Sequence, residues 1–442
     1  MGNSILDIGV SGLLAAQNQL QITSHNISNI DTPGFNRQRV IQSTNTPQTI
    51  AAGYVGRGVH SASVQRIYSQ FLVSQSLQVQ TQSQSLDTNY AQIKQLDNMF
   101  AEATSGLSPA LQNFFSAIQD VATNPSVVSS RQAMLSNAEA LVSRFQSMDE
   151  RMSQMREGVN TQITSSVVEI NSFANEIAQI NQQIILAEGV SGGEPPNDLL
   201  DQRDDLINQL SKLINTDTVK QSDGSVNVYV GNGHAIVVGS QKLSLETIVS
   251  PDNPDNLTLG LVSANQTIQL PEDQITGGAL GGILAFRRDS LDGAQNALGR
   301  VAMTLAQTFN EQHQLGVDLN GDMGKELFTV SSPKIISAST NNAASNITAS
   351  ISDFGALTTS DYQFSYDGTN YTLTNLSDNS SVSTAVIPSG ATPLTLDGLS
   401  VTGAAILPNE RFLIQPTVNG AKGIAVNITD TTEIAAAGPN RT

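Results

Sequence analysis

The hydrophobic positions of the first forty residues fall on one thin line. Leu6, Val10, Leu13, Ala16, Leu20 and Ile27 recur at steps of three, four and seven, and most positions between them are Gln, Asn, Ser or Thr. The spacing predicts a helix with a narrow apolar stripe, opening at Ser4 with Asp7 as a capping-box start. Thr32-Pro33-Gly34 ends it, because Pro cannot continue a helix and Pro-Gly suits the centre of a type II turn. A stripe this thin buries too little area to hold such a helix in water, and Gly9, Val10, Gly12, Ile22 and Thr23 weaken it further. The segment is expected to be poorly held without a partner and to be cut early near Arg37 or Arg39.

Residues 40–62 are rich in Thr, Gln, Gly and Ser and read as an extended, hairpin-like loop. From Val64 the helical period returns through Ile67, Phe71, Leu72, Leu86, Tyr90, Ile93, Leu96 and Phe100. Pro109 opens a shorter helix through Leu111, Phe114, Phe115, Ile118 and Val121. The longest pattern runs from about Arg131 to Ala187, with Leu135, Leu141, Phe145, Met148, Met152, Met155, Ile163, Ile170, Ile177 and Ile184 on one side. At 1.5 Å per residue it spans roughly 80 Å if continuous, a rod whose Met residues read as gap-fillers in a bundle core. After the turn at Gly189–Pro196, Asn197 or Asp198 caps a helix over residues 199–214. Its acids form a solvated face above Leu199, Leu206 and Leu210, with Arg203 pairing a neighbouring carboxylate.

At Asp217 the period changes to two. Val226, Val228 and Val230, the turns at Ser222–Ser225 and Gly231–Gly233, and residues 235–238 predict hairpins, with further short strands to about Ile275. Helical spacing resumes after Gly277 and carries Leu284, Leu291, Leu298, Leu305 and Phe309. Beyond a polar linker at 337–350, strand-like pieces at 362–366, 371–373, 394–396, 399–401, 412–414 and 424–428 suit an antiparallel sandwich or barrel. The fold class is therefore multidomain α plus β: a discontinuous, coiled-coil-like bundle of long helices, an inserted small β region and a C-terminal antiparallel β domain. Its segments are 1–36 (helix and Pro-Gly turn), 37–216 with 282–330 (helical rod), 217–281 (β-hairpin insertion) and 340–437 (outer β domain).

Composition narrows the chemistry. The 442 residues include no Cys, which excludes disulfides, thiolate metal sites and cysteine nucleophiles. A net charge of −18 and a pI near 4.5 disfavour nucleic acid and anionic membrane as partners. No basic residue precedes Arg37 and no apolar run is long enough to span a bilayer, so neither a secretory signal nor a membrane span is read. The run Gly53–Gly58 matches neither a P-loop nor a dinucleotide fingerprint. Asp318–Gly324 begins like a calcium loop, but Met323 stands where an EF-hand needs Gly and Thr329 where it needs Glu, so it reads as a helix-ending turn. His25, His60, His234 and His313 are isolated in sequence, and neither His-Glu-x-x-His nor a nucleophile elbow occurs. No catalytic residue, metal ligand or cofactor is assigned.

The wording of four segments carries more than their period. Ser11-Gly-Leu-Leu-Ala-Ala-Gln-Asn-Gln-Leu20, then Ser24-His-Asn-Ile-Ser-Asn-Ile-Asp-Thr-Pro-Gly-Phe-Asn-Arg-Gln38, resembles the N-terminal signature shared by bacterial flagellar axial proteins of rod, hook and hook-associated type. His25 replaces a usual Asn, and Phe35 an often-seen Tyr. Asp198-Leu-Leu-Asp-Gln-Arg-Asp204, residues 281–289 with 309–321, and the strand-rich region down to Ile434-Ala-Ala-Ala437 resemble the hook-associated protein 1 family in particular.

The resemblance implies a non-enzymatic structural protein, outside the cell, at the junction between hook and filament, assembled with helical symmetry and exported by the flagellar type III route. It implies three sets of site residues: an assembly stripe (Leu6, Val10, Leu13, Ala16, Leu20, Ile27), a turn motif (Asn26, Asn29, Thr32, Pro33, Gly34, Phe35) and a rod-domain motif (Asp201, Gln202, Arg203, Asp204). The implied partners are other copies of the chain, the hook protein, the second hook–filament junction protein, and the export apparatus with a chaperone that binds the C-terminal segment. That segment, a pairing helix in the family, is expected beyond Thr442. A hook or other rod-type axial protein is the alternative, and an axial protein carrying an inserted hydrolase a further one.

Overall fold

The computed structural model describes residues 2–51, 53–101, 106–191, 194–231, 233–263, 266–404 and 406–438, without the side chains of residues 2–4 and Ala404. Helix α1 (Gly2–Ser28) starts ahead of Ser4, which therefore lies inside the helix and not at its cap; the Ser4 side chain is outside the described set. The helix also ends before the Pro. Asn29 Nδ2 donates to the His25 carbonyl at 3.0 Å and Thr32 Oγ1 to Asn29 Oδ1 at 3.2 Å, closing the last turn ahead of Pro33.

The loop read at 40–62 is a hairpin. Strand β1 (Gln38–Thr44), a short ribbon of β2 (Gln48–Ile50) and β3 (Gly53–Val55), and β4 (Val59–Arg66) follow in order, β1 pairing antiparallel with β4. Helical structure therefore resumes at Gln70 and not at Val64, because Val64 is held opposite Val40 in the ladder. The expected cleavage point is also tied in: the Arg37 carbonyl accepts from the Ile67 N–H at 2.8 Å, and Gln38 is buried.

Helices α2 (Gln70–Phe100), α3 (Leu107–Thr123), α4 (Val128–Val190) and α5 (Asn197–Leu213) follow. The long pattern is one uninterrupted helix of 63 residues, with Leu135, Leu141, Phe145, Met148, Met152, Ile163, Ile170, Ile177 and Ile184 all buried. α3 starts at Leu107, before Pro109. α5 is preceded by Pro196, and neither Asn197 nor Asp198 caps it; Asn197 Nδ2 instead reaches the Val64 carbonyl at 2.9 Å. Gly192 and Gly193 of the turn before α5, and Asn232 of the turn after β6, lie outside the described residues.

Strands β5 (Thr216–Lys220), β6 (Val226–Val230), β7 (His234–Val238) and β8 (Gln241–Lys242) form a consecutive four-stranded meander, and β9 (Leu245–Val249), β10 (Leu257–Ser263) and β11 (Gln266–Gln269) a three-stranded sheet ordered β11-β10-β9. Helix α6 (Gly278–Phe286), a π turn (Arg287–Leu291) and α7 (Asp292–Gln314) return the chain to helix. By internal contacts the chain forms two units, one of residues 1–88, 163–247 and 259–282, the other of 89–162, 248–258 and 283–442. Their limits fall inside α2, α4 and α6; of the segment limits read from the sequence, 281/282 also falls inside α6 and 216/217 inside β5.

In the first unit, Asn181 is fully buried in mid-helix α4. Its Nδ2 donates to the carbonyls of Val226 (2.8 Å) and Gly239 (2.7 Å) while its Oδ1 accepts from the Val226 N–H, so one amide side chain supplies backbone partners at the start of β6 and just past the end of β7.

In the second unit, Phe114, Phe309 and Phe328 pack at ring distances of 5.5 to 5.7 Å, and Asn310 bonds both backbone groups of Phe328. The terminal β region is two sheets. β12 (Lys334–Ser337), β13 (Asn346–Ile351), β14 (Tyr362–Tyr366), β15 (Tyr371–Asn375), β16 (Ser381–Thr384), β17 (Leu394–Leu396), β18 (Leu399–Ala404) and β19 (Glu410–Gln415) sort into β12-β19-β14-β15-β16 and β13-β18-β17. Between them Phe364, Leu373, Leu399, Val401, Phe412 and Ile414 form a core. Two readings are corrected here. The polar stretch 337–350 contains most of β13, because Ile347 fills this core. Residues 424–428 are not a strand of either sheet; past the short helix α8 (Gly420–Gly423), Val426 makes an isolated bridge to Phe328.

Two buried titratable groups in this unit have opposite signs. Asp361 accepts from Asn296 Nδ2 and Gln415 Nε2, both at 2.8 Å, yet burial outweighs these bonds and pushes its carboxyl up to about 6. His313 donates from Nδ1 to the Lys325 carbonyl at 2.6 Å and accepts at Nε2 from the Ala435 N–H at 2.8 Å, which requires the neutral ring. Burial, and Arg131 nearby, hold its pKa below the ordinary value.

These features give two expectations. Phe145→Ala should lower stability by about 3–5 kcal/mol in urea melts, the cost of a cavity at a fully buried aromatic site. The Asp361 contribution is complete below the unfolded value near pH 4 and is lost as pH rises through 6, so melting temperatures of Asp361→Asn should lack that decline. The His313 contribution is complete above about pH 6.5 and is lost as pH falls, so His313→Gln should flatten the acid limb.

Candidate assembly surface and the clasp that holds it

Helix α1 has two edges. On one, Leu6 (69% exposed), Val10, Leu13 (70%), Ala16, Leu20 (70%) and Ile27 (67%) all face solvent, joined by Ile5 and Leu14. On the other, Ser11, Ala15, Asn18, Ile22 and Asn26 recur at steps of four, three, four and four and meet the hairpin. Ala15 is buried. Asn18 Nδ2 donates to Ser61 Oγ at 3.0 Å and the Val59 N–H to Ser11 Oγ at 3.3 Å. The chain comes so close at Gly58 that a Cβ there would lie 2.1 Å from Ser11 Oγ. Small and polar residues fix this helix to the protein, while its apolar line is left uncovered.

The turn motif continues the attachment. Asn26 exchanges two hydrogen bonds with the Gln38 backbone, donating from Nδ2 to the carbonyl at 2.8 Å and accepting from the N–H at 2.9 Å. The Phe35 ring meets His25 edge-on at 5.4 Å. Thr32 and Asn29 close the helix end, Pro33 follows in an exposed turn, and Gly34 takes φ +78°. A Cβ on Gly34 would lie 2.6 Å from Asp205 Cβ, so the turn is pressed onto α5.

There it meets the rod-domain motif. Asp201 is buried and accepts three donors: Asn36 N–H at 3.0 Å, Asn36 Nδ2 at 2.8 Å and Arg66 Nη1 at 2.6 Å. The same Arg66 nitrogen reaches Asp204 Oδ2 at 2.8 Å, and Asp198 accepts from Gln38 Nε2 at 2.8 Å. Burial alone would lower the Arg66 pKa, but the two carboxylates outweigh it and the net shift is upward. On Asp204 desolvation wins over the attraction of Arg66, and its carboxyl is held above the usual range.

The expected solvated acid face is thereby corrected. Asp201 and Arg203 are buried, Gln202 alone of the four motif residues is exposed, and Arg203 donates to the Gly224 carbonyl (2.8 Å) and Asn181 Oδ1 (3.2 Å) instead of pairing with a carboxylate. α5 thus holds the turn and hairpin through its acids and the β5–β8 meander through its Arg. Sequence reasoning missed Arg66, Asn36, Gln38 and Asn181, and missed the second edge of α1, whose helical spacing was visible in small polar residues.

The apolar line read on α2 is uncovered in part: Leu72, Leu86, Ile93 and Phe100 are exposed, with Phe71 and Tyr90 beside them and Val79, not read before, in step at seven, whereas Leu96 is buried. The helix is held by its other side: Thr81 Oγ1 donates to the Ser211 carbonyl at 2.9 Å, and a Cβ on Gly282 would lie 2.3 Å from the Ser85 carbonyl oxygen. Among the described residues no cluster of three or more His, Asp and Glu is placed to hold a metal ion, and no helix is long and apolar enough to cross a membrane. The Asp318 loop is closed internally, its carboxylate accepting from the Asn320 and Asp322 N–H groups.

Known families match in the same order. The profile described as flagella basal body rod protein matches residues 6–36, the flagellar hook-associated protein FlgK helical domain matches 93–328, and the D2-like domain of flagellar hook-associated protein 1 matches 336–416. Flagellar hook-associated protein 1 of Salmonella typhimurium is 36% identical over 442 residues, covering 99% of this chain and 80% of the relative. That of Escherichia coli is 35% identical over 98% of this chain and 80% of its own length, and that of Bacillus subtilis 26% identical over 73% and 69%. The solved structure of the flagellar hook junction protein FlgK from Burkholderia pseudomallei superposes with a TM-score of 0.75 at 38% identity, covering 81% of this chain and 65% of that one.

An uncovered helical stripe on a clasped support is the geometry of a subunit built to assemble, and the protein is of the flagellar axial class, structural and not enzymatic. Within that class, the chain belongs to the flagellar hook-associated protein 1 family.

Asp201→Asn should loosen the whole attachment. It leaves Arg66 with Asp204 alone and sets an amide against donors, at a cost of roughly 3–5 kcal/mol for a broken buried pair. Hydrogen exchange should show the Asn36 and Gln38 amides losing protection while Ile347 and Phe364 keep theirs.

Proposed function

We propose that this chain works as an adaptor that joins hook to filament, a structural part of the flagellum outside the cell. The single observation that carries the mechanism is the uncovered stripe Leu6-Val10-Leu13-Leu20-Ile27 on a helix already fixed by its other edge. In this reading the stripe pairs with a helix of the C-terminal continuation found in longer relatives, and the pair packs with other copies into the inner tube. The sevenfold line on α2, from Leu72 to Phe100, offers the same continuation a second apolar seam.

The segments divide the work. Residues 1–36 line the tube, and the helical rod of 37–216 and 282–330 contacts hook protein on one side and the second junction protein on the other. A ring of helical symmetry presents different faces up and down, so its contacts are heterologous. Export proceeds through the flagellar apparatus with a chaperone on the C-terminal continuation. The turn motif and the Asp201–Asp204 motif serve as positioning residues: they set the azimuth of α1 and do not touch the partner.

Leu13→Asp separates assembly from folding. At a site 70% exposed it should change stability by less than about 0.5 kcal/mol, while junction incorporation in a strain lacking the native protein falls to background. Exchange at Leu13 and Leu20 should be faster than at Leu141 in the monomer and slow on adding the helix of the continuation. Normal incorporation of Leu13→Asp would overturn the inner-tube role.

A further inference from the structure

Charge is divided unevenly along this chain. Residues 1–66 hold four arginines (37, 39, 57 and 66) against two aspartates (7 and 31), whereas residues 67–442 hold seventeen basic against thirty-seven acidic residues. Arg66 is consumed in the clasp. Arg37 and Arg39 are exposed and make no ion pair among the described residues. They alternate along the start of β1 and stand at a groove of about 760 Å³ between this strand and the second half of α1, with Ile22, Ile27, Phe35, Val40 and Ile67 in its lining. Solvated arginines on a strand are commonplace, but two unpaired guanidinium groups beside an apolar lining match an amphipathic helix that carries acids along its edge.

We infer that this groove is the docking site for a second copy of the chain, which inserts an acid-edged helical face. The inference rests on the assembling role proposed above. The occupant follows from charge: a neighbour identical in sequence brings an excess of twenty acids in residues 67–442 to meet each basic groove. An acid edge of this kind exists on α4, where Val168 (66% exposed) stands beside the exposed Glu169 and Glu176. The α1 stripe cannot serve within one molecule, since α1 is itself a wall of the groove. Stripe and groove then meet at Ile27, and the copy seated in the groove adds an electrostatic contact to the apolar contact of the stripe.

The test uses the full-length protein in flagellated cells, with benzoylphenylalanine at Val40 as a photocrosslinking probe. The expected product has twice the chain mass, and its linked peptide lies in the acid-rich part of the sequence. Arg37→Glu with Arg39→Glu should reduce its yield by about tenfold or more, while Arg37→Lys with Arg39→Lys retains most of it. Washing isolated flagella with about 0.5 M NaCl, where the screening length is about 4 Å, should lower the yield in the wild type and leave the charge-reversed variant unchanged. A link to the chain's own continuation or to a different protein overturns the inference while leaving the assembling role intact. So does a self-link whose yield is indifferent to both charge reversal and salt. Absence of the wild-type chain from isolated flagella would remove the assembling role, and this inference with it.

Discussion

One carboxylate, that of Asp201, is where three parts of the first unit meet. It takes both nitrogens of Asn36 from the turn after α1 and the guanidinium of Arg66 from the end of β4, and it is itself fixed on α5. A buried ion pair gains little net stability, because desolvating both partners offsets most of their attraction. Its value is geometric. Arg66 placed between Asp201 and Asp204 allows one azimuth of α5 against the hairpin, and Asn36 allows one position of the turn, so the direction in which α1 leaves is set by hydrogen bonds of fixed geometry.

That arrangement explains why α1 is attached by its weaker edge. Had the hairpin been matched to Leu6, Leu13 and Leu20, the helix would be more stable in the monomer, at ~25 cal/mol for each Å² covered, and its apolar line would be closed. Bonds through Ser11, Asn18 and Asn26 contribute only about 1 kcal/mol each, enough to orient the helix. The apolar area is thereby left uncovered. The same division recurs on α2, where Thr81 and the close approach of Gly282 hold the helix and the Leu72-to-Phe100 line remains open.

The other unit is stabilised differently. Apolar burial dominates there, in the Phe114-Phe309-Phe328 cluster and between the two sheets, and several buried polar side chains have backbone or amide partners: Asn310 for Phe328, His313 for Lys325 and Ala435, Asp361 for Asn296 and Gln415. Because the Asp361 and His313 contributions fade in opposite directions of pH, stability of this unit is bounded on both sides by these two groups.

The sequence by itself determined most of the helices and strands, though not β13 or the start of α2, the unbroken α4, the burial of most of its apolar stripe, and the family. These follow from local periodicity and wording, which survive without knowledge of the neighbour. It also determined that the α1 stripe lacks an internal partner, since a line of six residues flanked by Gln and Asn has no obvious complement in its own hairpin. What tertiary structure alone decided is which side of a helix is turned inward when both sides carry a repeating pattern. On α2 the apolar line faces out, and on α5 the charged motif Asp201–Asp204 faces in. The reason is that a charge or amide becomes a core residue when donors from distant strands reach it: Arg66 and Asn36 lie 135 and 165 residues from Asp201, and no spacing rule within a single segment connects them.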